Sequence, residues 1–318
     1  ATALRLAARP VTPRRLGPPA LPPALAVGEA IAFAIGHLGD VMHHYAAAIG
    51  APGDDGEPVH QMRVALRRLR SALALFRPAC GTADPALAEA RDLLRALGGV
   101  LGPARDWDVF LAGGLRQAHA AFPEEPALLR LLDTAARRRR EAYQAVRAFL
   151  DGAEFRRLGV VLACLAAAPA WLAPDAARPP GQQAALDSPL AEFAAHALAR
   201  RRARLLSAGP DLGALPAAAR HAARLNAKRL RYACELFAPL FDRRDSARMI
   251  RRLAALQDVL GRDNDTVVAA ELLAGLGPIG RGHAAGLVRG HLAARSDAEE
   301  EDLAHAWRRV RRAEPFWS

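Results

Sequence analysis

His60, Arg63, Arg67 and Arg70 recur 161 positions later as His221, Arg224, Lys228 and Arg231, with no gap between the two sets. Imidazole, guanidinium and ammonium groups are the side chains that hold oxyanions through charge-assisted hydrogen bonds. A helix advances about 100° per residue, so positions i, i+3, i+7 and i+10 fall in one narrow stripe. At roughly 1.5 Å of rise per residue, each stripe runs about 15 Å. A row of that length suits an extended polyanion. Arg68 and Arg229 belong to the same two runs but leave the helix in another direction, which makes them weaker candidates.

The rows are uncompensated in sequence. No acid lies between Glu57 and Asp84, and none between Asp211 and Glu235. Like charges at helical spacing cost about 0.2 to 0.5 kcal/mol per pair, so each helix gives up something of the order of 1 kcal/mol that a bound anion would return. Leu66, Leu69, Leu73 and Phe76 form an apolar face beside the first stripe, and Ala227, Leu230, Cys234 and Phe237 one beside the second. Each helix can therefore pack by one side while its cations line open space. Neighbouring cations depress an imidazole pKa and bound phosphate raises it, so affinity for anions is expected to strengthen below neutral pH.

The elements that must carry these rows read as helices throughout. Of the 318 residues, 52% are hydrophobic but only 5% aromatic, so the core is built from Ala, Leu and Val, which favours close-packed helices. Residues 1–26 form a Pro-rich arm. A first bundle follows at 27–168, with helices near 27–49, 57–77, 84–101, 106–121, 125–151 and 152–167. A Pro-rich linker at 169–187 leads to a second bundle at 188–318, with helices near 188–208, 215–240, 244–260, 263–276, 278–295 and 297–312. Pro78 is expected to end the second helix, Asp84 and Pro85 to start the third, and Gly102–Pro103 to break before the fourth. Leu101, Gly102, Arg105, Asp106 and Asp108 find a second match in Leu260, Gly261, Arg262, Asp263 and Asp265. An internal duplication accounts for both repeats, giving an all-α fold of two similar bundles about a pseudo-twofold axis, with a basic cleft or pore between them. The aspartates are expected to cap helix starts rather than to hold a metal. Arg137 to Arg140, and Arg200, Arg201, Arg202 and Arg204, are read as solvated faces or an outer rim. His43 and His44 are adjacent and cannot share a face, which argues against a metal role.

A formal net charge of +11 directs attention to acidic partners. Lys228 is the only lysine in the chain. That usage is explained as readily by genome-wide composition as by guanidinium chemistry. Cys80, Cys164 and Cys234 are expected to be reduced, buried thiols of a cytoplasmic protein. The start has no apolar centre of the kind a signal peptide needs. The apolar stretch from Gly159 to Ala173, broken by Pro169, falls short of a membrane span, so no membrane partner is expected. The chain begins at Ala1 rather than a methionine and is expected to be a piece of a longer protein. No nucleophile or metal cluster stands out, so no catalytic residue, cofactor or metal is expected. Nucleic acid is a weaker partner than a phosphate polymer, because no aromatic residues interleave with the cations for base stacking.

These residues resemble the CHAD domain, the conserved histidine α-helical domain. The match rests on Val59-His60-Gln61-Met62-Arg63-Val64-Ala65-Leu66-Arg67-Arg68-Leu69-Arg70 and on His221, Arg224, Lys228, Arg229, Leu230, Arg231 and Tyr232. Leu101-Gly102 with Arg105, Asp106 and Asp108, and Leu256-Gln257 with Leu260-Gly261 and Asn264-Asp265, resemble the next helix junctions; the similarity spans about Val27 to Arg312. The resemblance implies a wholly helical protein that binds inorganic polyphosphate without catalysis, in the cytoplasm or at polyphosphate granules. It places the ligand set at His60, Arg63, Arg67, Arg70, His221, Arg224, Lys228 and Arg231, with Arg68, Arg105, Arg229 and Tyr232 as weaker members. Such domains also accompany a triphosphate tunnel enzyme, so a regulatory or substrate-gathering half of a triphosphatase is the first alternative. A nucleic-acid-binding helical protein is the second. The tunnel's alternating glutamates are absent here, since Lys228 follows Arg224 and Asn226.

Overall fold

The computed structural model describes residues 16–51, 55–81, 84–173, 178–296 and 300–317, with backbone alone for residues 262–265, 295–296 and 300. Twelve α-helices account for most of the described residues. They are α1 (Val27–Ala46), α2 (Glu57–Cys80), α3 (Pro85–Phe110), α4 (Arg116–Ala121), α5 (Pro126–Leu150), α6 (Ala153–Ala167), α7 (Pro180–Asp187), α8 (Leu190–Leu206), α9 (Ala217–Phe237), α10 (Arg243–Ala274), α11 (His283–Ser296) and α12 (Glu300–Arg311). Among the described residues the one β-type pairing is an isolated bridge between Ala26 and Pro189. The all-α expectation holds.

Local chemistry sets several boundaries. Asp84 accepts hydrogen bonds from the Ala86 and Leu87 amides at 2.8 and 3.3 Å, with Pro85 in the first turn, as its sequence suggests. Pro78 does not end α2. It sits in the last turn, and the helix stops at Gly81, whose φ of +74° suits a residue without a side chain.

The larger correction concerns Gly102–Pro103. α3 runs unbroken through it to Phe110, and α10 runs unbroken past Gly261. A proline in a helix leaves the carbonyl four residues earlier without its usual donor. Here that residue is Gly99, and both Gly99 and Pro103 are exposed, so water can satisfy it. Asp106 and Asp108 therefore lie inside a helix and cap nothing. Of the matching Arg262, Asp263, Asn264 and Asp265, the side chains lie outside the described residues. After Phe110 the chain makes a π-helical turn, Leu111–Leu115, before α4.

The main core takes side chains from both halves. Val27, Ile31, Ile35 and Met42 of α1, Leu66, Leu69 and Phe76 of α2, Leu198 of α8, Leu230 and Phe237 of α9, Leu253 and Leu256 of α10 and Trp307 of α12 all belong to one buried cluster. A second cluster joins Trp107, Phe110, Leu128 and Leu131 to Leu273, Ala285 and Val288. Helices occupying like places in the two halves touch: α2 packs on α9, α3 on α10 and α1 on α8.

The segments read as linkers are also tied down. Leu21 is buried, the Leu16 amide donates to the Tyr45 hydroxyl, and a His37 ring nitrogen lies 3.1 Å from the Gly17 carbonyl oxygen; residues 1–15 lie outside the described residues. Trp171 is buried and its indole N–H donates to Gly28 O at 3.0 Å, while 180–187 is helix α7. By length and composition, Ala153–Leu172 is long and apolar enough to cross a membrane, contrary to the sequence expectation. It comprises α6 and the following turn, and Phe155, Leu158, Leu162, Leu165 and Trp171 are buried in the core. Cys80 and Cys234 are buried, as expected, but Cys164 on the outer side of α6 is exposed.

Candidate functional site

The apolar faces of α2 and α9 are what bring the basic rows together. Leu66, Leu69, Leu73 and Phe76 are buried, and so are Ala227, Leu230, Cys234 and Phe237. Phe76 meets Phe237 edge to face at 5.8 Å between ring centres, and Phe193 of α8 stacks on Phe76 at 5.3 Å. Burying each such ring contributes about 1.5 to 3 kcal/mol, so the two helices are held side by side by their apolar stripes.

With those faces engaged, the adjacent cations converge. The Arg67 guanidinium carbon lies 5.6 Å from the centre of the Tyr232 ring on α9, and that of Arg231 lies 5.4 Å from the same ring. Both are within range of a cation–π attraction, and Tyr232 itself is 7% exposed. Arg63 and Arg70 lean the other way, onto α3. A Cβ at Gly102 would lie 3.3 Å from Arg63 Nη1, and one at Gly98 would lie 3.5 Å from Arg70 Nη1. Those two glycines, one helical turn apart, make the seat on which the first row's guanidinium groups rest.

Electrostatics report the same convergence. Burial lowers the Lys228 pKa, and Arg67, Arg224, Arg63 and Arg231 lower it further, to about 7. Two of those arginines come from α2 and two from α9. Burial lowers Arg63 as well; Asp106 opposes the change, and Arg67 and Arg105 add to it. Arg201 of α8 is lowered by burial and then by Arg229 and Arg200, which groups it with Arg229 rather than with the second row.

Carboxylates from outside the two rows do reach them, which the sequence reading did not anticipate. Glu235 accepts from Arg68 Nε and Nη2 at 3.1 and 3.0 Å, bridging α2 to α9, and lies 3.5 Å from Arg231 Nη1. Arg68 is therefore a structural clamp. Asp106, whose pKa burial raises and Arg63 lowers, stands beside the first row together with Arg105. A neighbouring ion pair positions the start of α2. Asp108 accepts from Arg139 Nε at 2.6 Å and from the Tyr143 hydroxyl at 2.9 Å. A Cβ at Gly56, whose φ is +91°, would sit 2.9 Å from Asp108 Oδ2. Arg139 is thus no solvated residue, and neither is Arg202, whose Nη2 donates to Ala313 O at 3.0 Å.

Arg63, Arg67, Arg224, Lys228 and Arg231 are the candidate residues that the structure brings together, with Tyr232 between two of them and Arg105 at the margin. Arg70 is exposed against α3, Arg229 is exposed near Arg201, and His60 and His221 lie close to the N-terminal ends of α2 and α9, His221 exposed. Gly98, Glu235, Arg139 and Arg201 were not among the residues proposed for the site. Arg139 and Arg201 were visible in sequence only as members of dense arginine runs read as solvated faces or an outer rim, and Glu235 only as the end of an acid-free stretch.

The family model described as the CHAD domain matches residues 34–274. The crystal structure of the CHAD domain from the plant Ricinus communis superposes with a TM-score of 0.77 at 30% identity, covering 95% of this chain and 98% of that one. PptA from Streptomyces chartreusis shares the fold at a TM-score of 0.65 and 18% identity, over 89% of this chain and 99% of that one. Among curated proteins, none matches.

Proposed function

The chain belongs to the CHAD domain family, and on that premise we propose that it is a noncatalytic module for binding inorganic polyphosphate. The observation that carries the reading is the approach of Arg67 and Arg231 to the Tyr232 ring across the α2–α9 contact, with Arg63, Arg224 and Lys228 beside them and burial and these arginines pushing the Lys228 pKa down to about 7. Cations so placed repel one another in the free protein, and a chain of phosphates relieves that repulsion at every contact. Guanidinium groups grip nonbridging oxygens through paired donors, and Lys228 acts as a compact charge among them. His60, Arg70 and His221 extend the two rows beyond the crowded centre.

In this reading α2 and α9 are copies from an internal duplication and form the walls of one basic trough. The matching offsets, the contact of α2 with α9 and the like-with-like pairing of α3 with α10 support it. Glu235 is held chiefly by Arg68 and leaves Arg231 with a longer contact of 3.5 Å. The polymer and protein would meet in the cytoplasm.

A titration with polyphosphates of graded length tests the proposal. Long chains should bind far more tightly than orthophosphate or ATP, with an affinity that falls steeply as salt rises, because each neutralised phosphate releases counterions. Changing Arg63, Arg67, Arg224 and Lys228 together to Ala should abolish that preference while the protein stays folded. Equal affinity for orthophosphate and long chains would refute the reading. Displacement of polyphosphate by DNA or RNA at comparable concentration would favour the nucleic-acid alternative. Phosphate release by the chain alone would overturn the noncatalytic assignment.

A further inference from the structure

Away from the two basic rows, a hollow of about 290 Å³ opens between the start of α10 and the chain that follows α12. Asp245, Arg248, Met249 and Arg252 line it from α10 at i, i+3, i+4 and i+7, one face of that helix. Arg312, Glu314 and Phe316 form the opposite side. Gln257, whose Nε2 donates to Ala227 O of α9 at 3.2 Å, comes five residues after Arg252 and so lies about 140° around α10 from it. The hollow is therefore on a different flank of α10 from the one that meets α9.

Its cations are only partly answered. Arg248 Nη1 lies 3.3 Å from Asp245 Oδ1, which engages that carboxylate, and Glu314 is exposed. Among the described residues, Arg252 and Arg312 form no ion pair, and the Arg252 Nε is buried with no acceptor in reach. A buried guanidinium N–H calls for an acceptor, and an oxyanion supplies several. Phe316 adds a different chemistry. Its half-buried ring is braced edge-on by Phe241 at 5.5 Å and Trp317 at 4.9 Å between ring centres, and with Met249 it makes the apolar part of the lining. Small-molecule sites run from roughly 300 to 1,000 Å³, so a hollow at the lower end of that range takes a compact ligand rather than a polymer.

We propose that the hollow between α10 and Phe316 is a second anion site, built for a small phosphate monoester that carries an aromatic group. Arg252 and Arg312 take the phosphoryl oxygens, two unpaired cations for a dianion. Phe316 and Met249 receive the aromatic group. Orthophosphate lacks the ring and a nucleoside lacks the charge, so each meets only half of the lining. On the other side of Arg312 a further hollow of about 470 Å³, with Arg308, Arg311 and Leu206, leaves space for the remainder of a larger monoester. The site stands independently of the polyphosphate reading.

Isothermal titration of the whole chain with phenyl phosphate and with AMP tests this, the two probes distinguishing a bare ring from a nucleobase. At least one should bind about tenfold or more tightly than orthophosphate and adenosine do. Arg252→Gln and Arg312→Gln should each weaken that binding about tenfold, with thermal melts to confirm folding. Arg309→Gln, which removes the same charge from α12 outside both hollows, should leave it within about twofold. The variant with Arg63, Arg67, Arg224 and Lys228 changed to Ala should bind the monoester as the parent does. Failure of both probes, orthophosphate binding as tightly as either, or an equal loss with Arg309→Gln overturns the proposal. Loss of monoester binding in the four-alanine variant overturns it too, by assigning the monoester to the basic rows. Monoester binding by a chain that binds no polyphosphate upholds this site and overturns the function proposed above.

Discussion

The Arg67 guanidinium lies 5.6 Å from the centre of the Tyr232 ring, across the contact between α2 and α9. Arg231 approaches the same ring at 5.4 Å, so one buried aromatic ring attracts a cation from each of the two helices. Replacing Tyr232 with Leu should weaken polyphosphate binding by about two- to thirtyfold, the equivalent of one or two cation–π contacts of roughly 0.5 to 1 kcal/mol each. Tyr232→Phe keeps the ring and should bind within about twofold of the parent. Isothermal titration of both variants, with thermal melts to confirm folding, checks this.

Lys228 makes stability and affinity depend on pH in opposite directions. Its folded pKa is about 7 against an ordinary 10.5, so between those values the unfolded chain binds a proton that the folded chain does not. Stability contributed by this group therefore rises with pH from about 7 to 10.5 and is absent below 7. Polyphosphate prefers the ammonium form, so affinity should fall as pH rises through 7 if the bound state restores the proton, by at most about tenfold per pH unit. Lys228→Met should flatten the stability slope, and Lys228→Arg should flatten the affinity slope. A slope that survives Lys228→Arg and disappears with His60→Gln and His221→Gln would assign it to the histidines.

Gly102 separates stability from binding. A methyl group there meets Arg63 Nη1 at 3.3 Å, the flexible end of a side chain that can shift by a few tenths of an ångström. Gly102→Ala should therefore gain up to about 1 kcal/mol of helix propensity while lowering polyphosphate affinity a few-fold through the displaced guanidinium. Urea unfolding and titration on the same sample should move in opposite senses. At Gly98 the corresponding contact is 3.5 Å, and Gly98→Ala should leave affinity unchanged.

Asp108 anchors the frame rather than the ligand. It is 7% exposed and accepts from Arg139 and Tyr143. Asp108→Ala should cost about 2 to 3 kcal/mol, below the full figure for breaking a buried pair because Arg139 keeps some access to water. Tyr143→Phe should cost about 1 kcal/mol. Denaturant midpoints measure both, and the affinity of the folded fraction should stay near the parent value.

The helical nature of the fold and the alignment of each basic row were readable in sequence because both are local. Residues three, four and seven apart share a face on any helix, so His60, Arg63, Arg67 and Arg70 could be grouped without knowing where α2 goes, and the apolar faces through Phe76 and Phe237 could be assigned in the same way. The reading failed where a local signal was outvoted. Gly102–Pro103 has the form of a helix stop, yet α3 continues because the unbonded backbone faces water and Leu101, Ala104 and Trp107 are buried on either side of it. Asp106 and Asp108 consequently changed from caps to partners of Arg63 and Arg139.

The chain's own order of residues determined that it would fold as helices, that two of them would carry matching cationic stripes, and that those stripes would flank faces able to pack. Only the tertiary structure decided which cations meet: Arg67 with Arg231 over Tyr232, Arg63 on the Gly102 seat, Lys228 among four arginines, and Arg68 bonded to Glu235. Periodicity specifies the direction of a side chain around its own axis. The distance to a charge on another helix depends on how the buried faces of both helices interlock, and residues such as Arg68 and Glu235, 167 positions apart, acquire that relation only when Phe76 closes on Phe237.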